Sequence, residues 1–255
     1  MHRARKRFGQ NFLVDTTIIQ SLVKAISPLP SDKMIEIGPG LGALTTPLIN
    51  KLDHLEVIEL DRDLIKQLEV LKNESNKLTI YEADALKFDF SSAEYPRRIV
   101  GNLPYNISTP LIFHLLEHIH SIIDMHFMLQ SEVVDRICAT SGNRNFGRLS
   151  VMVQTKCHTQ KLIPIPAQSF SPAPKVESAF MRLTPLEQPL VPAHLEQSFT
   201  KIVQICFSQP RKTINNNLKN FLSQNEIVDL GIDPSIRPQH LKIENLLSLA
   251  RLIHA

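Results

Sequence analysis

Asn102-Leu103-Pro104-Tyr105 sets two hydrogen-bond acceptors and an aromatic ring within four residues. An exocyclic amino group on a purine is a poor nucleophile, because its lone pair is delocalised into the ring. The Asn102 side-chain oxygen and the Leu103 carbonyl could accept its two hydrogens and favour the pyramidal nitrogen needed to attack a methyl group. Pro104 fixes the backbone, and Tyr105 offers a face on which a flipped base can stack. Such assistance is positional and electrostatic and needs no metal or covalent intermediate. The same tetrapeptide also reads as an Asn-x-Pro turn with a core tyrosine.

A second cluster lies upstream. Gly38, Gly40 and Gly42 follow the apolar run Met34–Ile37 and precede a helix-forming stretch. A strand–turn–helix of this kind brings backbone N–H groups and a helix N-terminus close to a ligand. Gly38-x-Gly40-x-x-Ala43, with Glu59 about 20 residues on, satisfies the dinucleotide fingerprint. Gly38-x-Gly40-x-Gly42 suits a methyl-donor site equally well, so hydride and methyl transfer both stay open on these residues. Glu36 would anchor the turn or the donor's ammonium side. Glu59 can accept ribose hydroxyls, with Asp61 as the helix-capping acid beside it. Asp84 is placed to accept from an adenine amino group.

These residues need strands that end in register. Apolar segments Met34–Ile37, Leu55–Leu60, Leu78–Tyr81, Arg98–Gly101 and Ile122–Leu129 alternate with helical patterns at Leu41–Lys51, Arg62–Lys72, Thr109–His118 and Ser131–Ala139. That alternation predicts an α/β fold with a doubly wound parallel sheet and ligands at the strands' carboxyl ends. Prolines from Pro164 to Pro192 mark a change of character, interrupted by one late strand at Val176–Leu183. Helical patterns follow at Leu195–Phe207, Arg211–Leu222 and Leu241–Ile253. The expected division is a basic arm over residues 1–15, the sheet domain over 16–188 and a small helical domain over 189–255.

Charge is uneven along the chain. Residues 53–94 carry eleven acids and five bases, whereas residues 136–176 carry six bases and no acid. Residues 200–222 add Lys201, Arg211, Lys212 and Lys219, again without an acid, and the chain opens with Arg3, Arg5, Lys6 and Arg7. Any one run is accounted for as a solvated face; three together point to a polyanionic partner. No apolar run approaches the ~20 residues that span a bilayer, and no apolar segment of a secretory signal follows the basic start. Cys138, Cys157 and Cys206 show no paired spacing, so buried thiols in a reducing cytoplasm are expected. His114-Leu-Leu-Glu117-His118 matches the inverted zinc-peptidase pattern without a third ligand, and no metal is expected.

The segments HRARKRFGQNFL, EIGPGLGALT, VIELDRDL, ADAL, GNLPYNISTPLIF, HFMLQ, FGRLS and SFSPAPKVESA lie in the order of one known family. From about residue 3 to 220 the chain resembles the KsgA-type small-subunit ribosomal RNA adenine dimethyltransferases, relatives of the erythromycin-resistance methylases. The resemblance implies a Rossmann-like S-adenosylmethionine-dependent methyltransferase sheet with a small C-terminal all-helical domain. It implies transfer of four methyl groups to two adjacent adenosines in the 3′-terminal hairpin of 16S rRNA, within the immature 30S subunit, and a role in ribosome biogenesis. Asn11 and Leu13 would cover the donor, and Gly38, Glu59, Asp84 and Asn102 would line its site. Leu103 and Tyr105 would complete the target-base site, with Phe170 stacking on the base's other face; without the resemblance Phe170 reads as a loop aromatic packed on the core. Arg3, Arg5, Lys6, Arg7, Arg144, Arg148, Arg211 and Lys212 would hold RNA phosphate. A monomer with no membrane or obligate protein partner is expected. DNA adenine methylation and non-catalytic rRNA binding are the alternatives.

Overall fold

The computed structural model describes residues 11–92 and 95–254. The chain forms two compact units, one of residues 1–134 with 160–185 and the other of 135–159 with 186–255.

In the first unit the strands are β1 (Phe12–Leu13), β2 (Met34–Ile37), β3 (Leu55–Glu59), β4 (Leu78–Glu82), β5 (Arg97–Asn102), β6 (Ile122–Gln130), β7 (Cys157–Ile165), β8 (Phe170–Ser171) and β9 (Ser178–Pro185). β7 enters this unit at Gln160. Seven of them build one sheet in the order β4-β3-β2-β5-β6-β9-β7. From β4 to β6 neighbouring strands run parallel, and β9 returns antiparallel to β6. The chain passes from β2 outward to β3 and β4, then back to β5 on the other side. β2 and β5 therefore flank the switch point, where ligands of open α/β sheets bind. All four residues of β2 are buried, as a strand covered on both faces requires.

Helices α1 (Thr16–Ile26), α2 (Thr45–Ile49), α3 (Arg62–Ser75), α4 (Ser108–Glu117) and α5 (Ser131–Ile137) connect the strands. Asp15 caps α1 by accepting from Thr17 N and Ile18 N. The carbonyls at the other end of α1, of Ile26 and Ser27, accept from the guanidinium of Arg98. That guanidinium also pairs with Asp32 at 2.7 Å and Asp124 at 2.9 Å, which fixes α1 to the sheet. α2 starts four residues later than its sequence pattern suggests. The positive φ of Gly40 and Gly42 is incompatible with helix, so the residues before Thr45 form turns.

In the second unit, α6 (Arg148–Gln154), α7 (Glu196–Cys206), α8 (Ile214–Leu218), α9 (Gln224–Asp229) and α10 (Ile243–His254) share an apolar core. Ala139, Phe146 and Val151 belong to that core alongside Phe199, Ile202 and Leu249. The second unit resumes at residue 186, near the boundary expected at 189, but it also takes in residues 135–159, of which Ala139, Phe146 and Val151 bury their side chains with the helices. The helix expected over Arg211–Leu222 shrinks to α8. Thr213 caps it, and Asn215, Asn216 and Asn217 are poor helix formers, so Arg211 and Lys212 lie in the preceding turn. Cys157 and Cys206 are buried, and burial pushes both thiols up to about 12; Cys138 is partly exposed. Among the described residues no helix is long and apolar enough to cross a membrane.

Candidate functional site

The carboxyl ends of β2, β3, β4 and β5 surround a cavity of about 330 Å³, within the size range of small-ligand sites. It contains Asn11, Leu13, Gly38, Glu59, Asp84, Asn102, Leu103 and Tyr105, so eight residues singled out in the sequence meet at one place.

The floor is the glycine turn. Gly38, Gly40 and Gly42 have φ of 66, 60 and 84°. Gly38 N donates to Ile58 O at 2.9 Å, which ties the turn to β3. A Cβ on Gly40 would sit 3.3 Å from the Phe12 ring, so the glycine also lets β1 approach. Where β5 leaves the sheet, a Cβ on Gly101 would stand 2.6 Å from the Ile37 carbonyl. Glycine is therefore required where the two central strands end.

Three acidic side chains form one wall, Glu36 and Glu59 buried and Asp84 partly exposed. Glu59 Oε1 accepts from Leu60 N and Asp61 N, each at 2.8 Å, and Gly40 N lies 3.4 Å from Oε2. With Oε1 holding two amides, Oε2 has the capacity left to accept a ribose hydroxyl. Burial raises the Glu59 carboxyl above its ordinary value despite these amide donors. Glu36 is 2% exposed, and burial pushes it up to about 7 against the opposing bond from Thr45 Oγ1 at 2.7 Å, with Glu59 adding repulsion. Asp84 is held by Leu86 N at 3.0 Å, and Asp61 caps α3 as its position suggested. Three carboxylates facing a largely apolar cavity suit a cationic ligand with ribose and adenine.

Another wall is the turn after β5, which adjoins the glycine turn at Gly38. Asn102 Nδ2 donates to the Asn11 carbonyl at 3.2 Å. A carbonyl only accepts, so this bond turns Asn102 Oδ1 away and keeps it an acceptor. Leu103 N donates to Met128 O at 3.2 Å, which holds the residue whose carbonyl is the expected second acceptor. Tyr105 is half-buried, and its hydroxyl shares a hydrogen with Ser178 Oγ at 2.9 Å. Burial raises its pKa, so the ring stays neutral.

Phe170 stands elsewhere. It pairs with Leu13 in the β1–β8 ribbon, is 4% exposed and packs in the core of the first unit. It is not among the residues that line the cavity, although Leu13 directly opposite it is. Of the arm expected over residues 1–15, residues 1–10 lie outside the described residues; Phe12 and Leu13 are a strand, and Ser169 Oγ donates to Asp15 Oδ2 at 3.1 Å. Arg3, Arg5, Lys6 and Arg7 lie outside the described residues. Arg144, Arg148, Arg211 and Lys212 are all exposed and belong to the second unit. Among the described residues no group of three or more His, Cys, Asp and Glu could hold a metal ion. Residues 11, 128 and 178 were not readable as fasteners of the turn after β5; only Thr45, at a helix start nine residues from Glu36, carried a local signal.

The whole chain, residues 1–255, matches the ribosomal RNA adenine dimethylase family. It is 50% identical over 254 residues to the ribosomal RNA small subunit methyltransferase A of Methylobacillus flagellatus, covering 100% of this chain and 99% of that protein. A crystal structure of a dimethyladenosine transferase from Plasmodium falciparum superposes with a TM-score of 0.80 at 27% identity, over 93% of this chain and 95% of that one. The 23S rRNA methyltransferase ErmE shares the fold with a TM-score of 0.76 at 24% identity, over 94% and 98% of the two chains. With the family matched along its full length and a relative half identical end to end, the chain belongs to the ribosomal RNA adenine dimethylases.

Proposed function

We propose that the chain dimethylates N6 of two adjacent adenosines in the 3′-terminal hairpin of 16S rRNA, acting on the immature 30S subunit. It is an S-adenosylmethionine-dependent rRNA adenine dimethyltransferase with a Rossmann-like sheet. The observation that carries the reading is the pair of acceptors, Asn102 Oδ1 and the Leu103 carbonyl, fixed beside a carboxylate-lined cavity.

When bound, the donor would supply the methyl group of a sulfonium, whose S–C bond breaks as the N–C bond forms and leaves a neutral thioether. The chain's own residues do the rest. Gly38 and Gly40 let backbone approach the ligand, Glu59 Oε2 accepts from its ribose, and Asp84 accepts from its adenine. Asn102 Oδ1 and the Leu103 carbonyl draw the two N6 hydrogens of the target base to one side, which localises the nitrogen lone pair toward the methyl. The N6 proton is lost to solvent as the new N–C bond forms. Tyr105 stacks on the flipped base. After one methylation N6 still holds a hydrogen, and one of the two acceptors suffices to orient it for the second.

Arg144, Arg148, Arg211 and Lys212, with Arg3, Arg5, Lys6 and Arg7, hold phosphate and give affinity that falls with salt. RNA shape and unpaired bases supply the selectivity. The reading places the protein in the cytoplasm as a monomer. Transfer of tritium from labelled S-adenosylmethionine tests it, with undermethylated 30S subunits and double-stranded DNA as competing acceptors. The label should enter the subunits and appear as N6,N6-dimethyladenosine after digestion. Preferential labelling of DNA, or none, contradicts the reading.

A further inference from the structure

His114, in the zinc-peptidase-like pattern on α4, has no part in the transfer chemistry, yet it grips the segment that carries Asp84. Its Nε2 lies 2.9 Å from the Phe88 carbonyl. A carbonyl only accepts, so Nε2 carries the proton and donates. The His114 ring also meets Phe90 edge-on, with centroids 5.7 Å apart. Phe90 is 1% exposed and meets Phe88 at 5.1 Å, and Phe88 meets Tyr81 of β4 at 5.2 Å. His118 packs against His114 at 4.9 Å. The segment between is a tight turn: Leu86 N donates to Asp84 Oδ1 and Lys87 N to Asp84 O, at 3.0 and 2.9 Å. One end of this turn is the Asp84 carboxylate in the cavity, and the other is the carbonyl His114 holds. α4 itself begins just after the Asn102–Tyr105 turn, and Ile107 before it lines the cavity.

We propose that His114 is a positioning residue for the donor site: by holding the Phe88 carbonyl on α4 it sets Asp84 against the donor's adenine amino group. This rests on the assignment of Asp84 as the adenine acceptor. A hydrogen bond to a carboxylate is directional, so loosening the turn should lose selectivity for the amino group rather than affinity in general.

The test is calorimetric binding of S-adenosylhomocysteine and of S-inosylhomocysteine, which carries a carbonyl where adenine has its amino group. The parent protein should prefer the adenosine form by about tenfold or more, the value of one charge-assisted hydrogen bond. In His114→Leu the preference should fall below about threefold, while His114→Gln, which keeps an N–H donor, should restore most of it. His114→Asn, polar but too short to reach Phe88, serves if the leucine variant does not fold. Full preference in the leucine or asparagine variant overturns the inference, and so does an equal loss of both ligands, the mark of a packing role. Equal binding by the parent overturns the placement of adenine at Asp84, and this inference with it.

Discussion

The two walls of the cavity are made differently. On the donor side, Glu59 and Asp84 take bonds from adjacent amides, Glu59 from Leu60 and Asp61 and Asp84 from Leu86, while the glycine turn is tied to Ile58 on the next strand. On the target side, the turn at Asn102–Tyr105 is held from afar, by the Asn11 carbonyl, the Met128 carbonyl and the Ser178 hydroxyl. The donor wall carries buried charge and its desolvation cost, whereas the target wall carries neutral acceptors with their other bonds already fixed. A cation can be drawn to the first, and a neutral base can be oriented by the second.

Removing an acceptor from the target wall should have the largest effect. Asn102→Ala should lower single-turnover methylation by about 10²-fold or more, the scale of a lost preorganised polar contact. A methylation rate within about threefold of the parent would break the division of labour between the walls.

The donor wall should reveal itself through pH. Glu36 has its ordinary carboxyl value of 4.5 in the unfolded chain and about 7 in the folded protein. Between these values the folded state keeps a proton that the unfolded chain gives up, so stability falls as pH rises from 4.5 to about 7. At about 1.4 kcal/mol per unit the loss is on the order of 3 kcal/mol, fully present above pH 7. Glu36→Gln keeps an acceptor for Thr45 and should remove this slope. Its melting temperature should exceed the parent's at pH 8 and converge with it near pH 4.5. Parallel melting curves would show that the wall stores no such cost.

Where the walls meet, Gly101→Ala forces a methyl against the Ile37 carbonyl. It should cost about 1–3 kcal/mol, read as a fall in melting temperature of roughly 2–4 °C for each kcal/mol. An unchanged melting temperature would mean that β2 and β5 separate more easily than their close approach suggests. The smallest effect belongs to Ser178→Ala and Tyr105→Phe, each expected to lower kcat/KM for the subunit by about fivefold, the value of one neutral hydrogen bond. Because both remove the same bond, the double variant should lose no more than either single one.

The contrast between the walls also explains what could be read from the sequence. The glycine turn, the strand-end acids and Asn102–Tyr105 are local patterns, and the alternation of strands and helices set them at the same end of one sheet. Their fasteners are not local. Asn11 lies 91 residues from Asn102, and Ser178 lies 73 from Tyr105. No periodicity in a single sequence reports such pairings. Phe170 is legible in two ways, as a stacking ring or as a core aromatic, and the structure packs it in the core opposite Leu13. Residues 135–159 mislead because their membership in the helical unit depends on apolar partners beyond residue 195.

A crystal structure with S-adenosylhomocysteine tests the division of the cavity most directly. The ribose should lie on Glu59, the adenine amino group on Asp84, and Asn102 Oδ1 should still face open space beside Leu103 O. A ligand lying the other way, with its adenine amino group on Asn102 and nothing at Asp84, would contradict it.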